Sequence, residues 1–104
     1  MKVYISGAIT NNPDYKTDFA KAAAAIEAVG WEPVNPAEIE IEGGSWLDYM
    51  RRDIKLLVDC DAVYMLDGWP ESEGARVEHT LARDLGLKCY YESGVMGVKL
   101  GAQI

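Results

Sequence analysis

Two carboxylates stand where a folded chain does not ordinarily put them. In the segment opened by Ser72 and Glu73, the residues Ala75, Val77, Leu81, Ala82 and Leu85 recur at helical spacing and define an apolar stripe. At about 100° per residue, Glu78 falls near the middle of that stripe. In the preceding helical segment, Trp46, Met50, Ile54, Leu57 and Val58 define a second stripe, and Asp53 lies within roughly 50° of its centre. An acid facing a core is unfavourable unless it is paired, hydrogen-bonded or at the floor of a wet pocket. Glu78 has structural alternatives: capping helix N–H groups, or pairing with Arg52 or Arg76. Asp53 has its own, Arg51 or Lys55. Two inward-facing acids together weigh toward a site.

Other residues offer less. Asp67 precedes Gly68 and serves a turn or a site equally well. His79, the only histidine, points about 100° away from Glu78 around the helix and is expected on the surface. Ser6-Gly7-Ala8-Ile9-Thr10 and Ser72-Glu73-Gly74 can present backbone N–H groups and hydroxyls to a phosphate or sugar. Neither matches a phosphate-loop or dinucleotide fingerprint.

The elements that must position these residues alternate. Val3 to Ser6 reads as a buried strand. A helix follows, with Asn12 as N-cap, Pro13 at its first position and Gly30 past its end. Its stripe is Tyr15, Phe19, Ala22, Ile26 and Val29. Trp31 to Val34 reads as a strand, residues 37–44 as an irregular loop, and Ser45 as the cap of a helix to about Val58. Asp61 to Leu66 is a strand. A third helix runs from Ser72 or Glu73 to Gly86, and Leu87 to Tyr91 is the last strand. The segment 92–104 stays open between a lid, a short helix and a subunit contact. Such β-α alternation predicts one α/β domain over residues 1–104. It is expected to be Rossmann-like or flavodoxin-like, in three layers, with a parallel sheet of four to five strands and helices on both faces. Ligands of such sheets sit at the carboxyl ends of the strands.

Composition narrows the partners. With a formal net charge of −7, the chain repels phosphate backbones, so duplex nucleic acid is not expected. Cys60 and Cys89 are too few and too irregular for a disulfide framework or a zinc site, and no metal or cofactor is expected. No apolar run approaches the roughly 20 residues of a membrane span. Met1 to Ile5 is too short for a secretory segment, which leaves the cytoplasm as the expected location.

At this point a resemblance enters. Val3-Tyr4-Ile5-Ser6-Gly7-Ala8-Ile9-Thr10, the run Asp53 to Val63, and Ser72-Glu73-Gly74-Ala75-Arg76-Val77-Glu78 together resemble the nucleoside 2-deoxyribosyltransferase superfamily, which includes the 5′-monophosphate N-glycosidases. They look closest to a small branch common in phages and prophages. The resemblance implies that Glu78 is a nucleophile attacking C1′ of a deoxyribosyl group. Asp53 would bind the sugar or tune the nucleophile, and Tyr4 would position Glu78. Asp67 would contact the leaving base, and Ser6, Gly7, Ala8, Ile9, Ser72 and Gly74 would line the sugar or 5′ end. It further implies a nucleoside or nucleotide as small-molecule partner and a homodimer or larger homo-oligomer. A pocket that binds a nucleotide without turnover, and a structural protein on the same fold, are the competing expectations.

Overall fold

The computed structural model describes residues 1–93, so the open expectation for the tail lies almost wholly outside the described residues. Four strands and three helices alternate: β1 (Lys2–Ser6), α1 (Tyr15–Ala28), β2 (Glu32–Val34), α2 (Trp46–Val58), β3 (Ala62–Met65), α3 (Glu73–Asp84) and β4 (Lys88–Tyr91). Short 3₁₀ turns follow β2 at Pro36–Glu38 and precede α3 at Trp69–Glu71.

All strand pairs are parallel, in the order β2-β1-β3-β4. The order reverses between β1 and β3, which pair from Val3 with Ala62 to Ser6 with Met65. In a flavodoxin-like sheet this is the place where a crevice opens.

Strand alternation sorts the side chains into two layers of core. Val3, Ile5, Ala62, Tyr64 and Leu66 pack beneath α1 with Phe19, Ala22 and Ile26. Tyr4, Val63, Met65 and Tyr91 face the other way, against Leu57 of α2 and Ala75 and Ala82 of α3. Tyr4 and Ser6 therefore share the face that looks at α2 and α3, and both are fully buried.

Several local expectations need correction. Asn12 does not cap α1. Its side chain accepts the Asp14 N–H at 3.2 Å in an Asx turn and donates to Ala8 and Asp18, so the helix starts two residues beyond Pro13. Val29 is the C-cap and is 40 % exposed rather than part of the stripe. Gly30 does follow in the left-handed region, at φ 84°. Val77 and Leu85 are about half exposed, because α3 is rotated so that Ala75, Glu78, His79 and Ala82 face inward. His79 is buried, not on the surface. The 3₁₀ turn and the end of β4 cover that side of α3, placing the Trp69 ring 4.2 Å from the imidazole and the Tyr91 hydroxyl 2.7 Å from Nε2.

Phe19 is the largest apolar side chain that α1 lends to the core and is 1 % exposed. Phe19→Ala leaves a cavity under the helix and is expected to lower the unfolding free energy by about 3–5 kcal/mol, measured by urea denaturation. A loss well under 1 kcal/mol would mean that α1 does not anchor this layer.

Candidate active site

Glu78 sits in the second turn of α3. Ser72 starts that helix by accepting the Ala75 N–H at 3.2 Å. The rotation that exposes Val77 turns Glu78 inward, where it is 5 % exposed. Two hydroxyls from β1 meet it. Tyr4 donates to Oε2 at 2.5 Å and Ser6 donates to Oε1 at 2.7 Å. The structural alternative, an ion pair with Arg52 or Arg76, does not form: Arg52 bonds Asp53, and Arg76 bonds the Pro70 carbonyl at 2.8 Å.

These contacts set the charge. Burial disfavours the ionised form and pushes the Glu78 carboxyl up to about 7. The hydrogen bonds from Ser6 and Tyr4 act in the opposite direction, and the Asp53 charge adds a smaller upward push. Tyr4 itself is held well above its ordinary 10, by burial first and by the Glu78 charge next. It stays a neutral phenol that donates. Among the described residues no buried side-chain nitrogen or oxygen lacks a partner.

Asp53 approaches from α2, whose start is fixed by the Ser45–Asp48 capping box. With Leu57 it is the most buried residue of that helix. Burial raises its carboxyl, and its neighbour Arg52 opposes the rise. The Arg52 guanidinium donates to Asp53 Oδ1 through Nε at 2.9 Å and pairs with it through Nη2 at 2.9 Å. It also donates to the carbonyls of Ile39 at 2.8 Å and Pro36 at 2.9 Å. Tyr49, one turn away, brackets the same segment by bonding both the N–H and the carbonyl of Ile41. The chain after β2 is thus tied to the helix that carries Asp53.

A cleft of about 790 Å³ opens above these groups. The loop after β1, the segment after β2, one face of α2 and the start of α3 form its walls. Glu78, Asp53, Gly7, Ala8, Ile9, Ser72 and Gly74 all line it. Tyr4 and Ser6 lie beneath and reach it only through Glu78. Asp67 lies outside, in a separate depression of about 230 Å³ beside Trp69 and Tyr91. Its backbone N–H donates to the Glu92 carboxylate at 2.8 Å, and it precedes Gly68, which sits at φ 86°.

The cleft has further walls that residue spacing did not single out: Trp46, Tyr49, Met50 and Arg52 of α2, with Pro36 and Ile39 opposite. Trp46 and Met50 belong to the α2 apolar stripe. The exposure of Trp46, 45 %, shows that the stripe leaves the core and continues into the cleft. Gly7 has a steric duty. A Cβ there would stand 2.9 Å from the Cβ and Cδ1 of Leu66, so the turn out of β1 has no room for a side chain.

The raised Glu78 carboxyl makes stability depend on pH. Between its ordinary 4.5 and about 7, the native state binds the proton that the unfolded chain has already lost, so stability falls as pH rises through this window. Glu78→Gln keeps an acceptor for Tyr4 or Ser6 but cannot ionise. Its stability relative to wild type should therefore improve from pH 4.5 to pH 8, by on the order of 3 kcal/mol. Paired denaturation curves at several pH values test this, and a difference that stays flat with pH would disprove it.

Solved structures that resemble this one carry the same fold. A 2-deoxyribosyltransferase from Bacillus psychrosaccharolyticus superposes with a TM-score of 0.69 at 19 % identity, covering 88 % of this chain and 71 % of that one. A CMP N-glycosidase from Clostridium botulinum superposes with a TM-score of 0.55 at 22 % identity, covering 95 % and 83 %. No curated protein matches the sequence. The chain therefore shares the fold of these two proteins. Residues 1–91 match the family described as a domain of unknown function (DUF4406), and the chain belongs to that family.

Proposed function

We propose that this chain breaks the N-glycosidic bond of a deoxynucleoside or nucleotide, or transfers its deoxyribosyl group, with Glu78 as the nucleophile. One observation carries the reading. A buried carboxylate, oriented through both oxygens by Tyr4 and Ser6, lines a cleft at the point where strand order reverses. The two structural neighbours, a deoxyribosyltransferase and a CMP N-glycosidase, support it at the level of chemistry.

The bond to the base breaks through an oxocarbenium-like state, in which positive charge develops at C1′. The ionised Glu78 stabilises that charge and closes on C1′ as an ester. The C1′–N electron pair leaves with the base, which takes up a proton. Water then attacks C1′, loses a proton and frees the carboxylate, giving hydrolysis. A second base attacking through nitrogen gives transfer. Tyr4 and Ser6 hold Glu78 in one rotamer and keep it ionisable despite burial. Asp53, in the same cleft and fixed by Arg52, binds the sugar or tunes the nucleophile. Ser72, Gly74, Gly7, Ala8 and Ile9 line the sugar or 5′ end. Asp67 contacts a leaving base only if that base reaches beyond the cleft, toward Trp69.

A second reading keeps the pocket and drops the turnover: a module that senses or sequesters a nucleotide-derived ligand. The raised Glu78 carboxyl favours it, since a neutral acid near pH 7 hydrogen-bonds a ligand and does not attack one. Both readings place the protein in the cytoplasm as a homodimer or larger homo-oligomer. Among the described residues no helix is long and apolar enough to cross a membrane.

Incubation with deoxynucleosides and their monophosphates, followed by chromatography for free base, tests the proposal. Activity is expected to rise as pH passes through about 7, where Glu78 ionises. Glu78→Ala is expected to lower it by about three orders of magnitude. Base release by Glu78→Ala equal to wild type refutes the nucleophile. A ligand-induced thermal shift with no product selects the binding module.

A further inference from the structure

The charge that lines the cleft bears on what it can hold. Five carboxylates, Glu40, Asp53, Glu71, Glu73 and Glu78, stand around it. Among the described residues one basic side chain, Arg52, joins them. That guanidinium is already committed to Asp53 and to the carbonyls of Pro36 and Ile39. Lys16, at the edge, pairs with Glu40 at 2.8 Å.

The start of α3 is a feature that would ordinarily draw an anion. Part of its attraction is met from within the chain. Ser72 Oγ accepts the Ala75 N–H, and Glu73 places a carboxylate in the first turn, with Glu71 exposed beside it. A phosphate dianion arriving there would meet two like charges and, among the described residues that line the cleft, no cation that is not already paired. Size does not exclude it, because about 790 Å³ exceeds what a nucleoside needs.

We infer that the cleft takes an uncharged nucleoside with a free 5′-hydroxyl and discriminates by charge against the 5′-monophosphate. The inference rests on the N-glycosidic reading above and names its substrate class. With C1′ against Glu78, the 5′ substituent stays inside the same acidic lining. Like charges about 6 Å apart repel by roughly threefold or more in binding per pair, even at the dielectric of water. Two or more such pairs give a preference of about tenfold or more for the nucleoside at low salt. That preference shrinks as ionic strength rises, since part of the lining is exposed.

The experiment compares kcat/KM of wild type for 2′-deoxynucleosides and for their 5′-monophosphates at low and high salt. In parallel, calorimetry with Glu78→Gln measures binding of the same ligands without turnover. Expected is a preference for the nucleoside that narrows with salt, and that narrows again in the double variant Glu71→Gln/Glu73→Gln. Equal or better use of the monophosphate overturns the inference and leaves the N-glycosidic reading standing. A preference that neither salt nor the double variant changes overturns it too, because charge is then not the cause. Nucleoside binding without turnover ends the catalytic reading and upholds the charge selection. Binding of neither ligand ends both.

Discussion

A carboxylate taken out of water needs something to replace the water, and in this fold the replacement is a pair of hydroxyls on one strand. Tyr4 and Ser6 stand two residues apart on β1, so the pleat aims both at α3. Each donates to a different oxygen of Glu78. Burial pushes the carboxyl up, the two donors hold it down, and it ends near neutrality. More donors would hold the carboxyl ionised well below neutrality, and none would leave it protonated further above it. The balance between desolvation and two hydrogen bonds sets the pH at which the group ionises.

The rest of the fold maintains that balance. Gly7 lets the chain leave β1 tight against Leu66, so that the loop forms a wall of the cleft instead of filling it. Arg52 is engaged within the chain. It acts as a clip between the Asp53 carboxylate and two backbone carbonyls of the segment after β2. Tyr49 reinforces that clip, its ring 5.6 Å from the same guanidinium. The wall opposite Glu78 is therefore built from backbone held by helix side chains, although it contains little regular structure of its own.

Much of this architecture is legible in the residues. The β-α alternation, the parallel sheet, the Ser45 cap and the left-handed Gly30 follow from local chemistry that tertiary context has no reason to override. The inward aim of Glu78 and Asp53 follows from helical geometry alone. What hides is what depends on neighbours distant in sequence. The His79 imidazole is covered by a 3₁₀ turn and a strand end, and no periodicity within α3 announces them. Trp46 and Met50 look like core because an apolar residue reads the same whether it faces a sheet or a binding cleft. Asn12 looks like a cap because asparagine serves caps and Asx turns through the same side-chain oxygen. The placement of Asp67 turns on which side of a loop it leaves, which residue types do not encode.

The hydrogen bonds that orient Glu78 span 74 and 72 residues of chain. The arrangement is consequently a property of the closed topology and not of any segment. A fragment without the first strand loses the acid's partners, and one without the third helix loses the acid. A slip of β1 by a single residue would present Val3 and Ile5 to the carboxylate in place of two hydroxyls. The register of one five-residue strand thus decides whether Glu78 keeps its two donors.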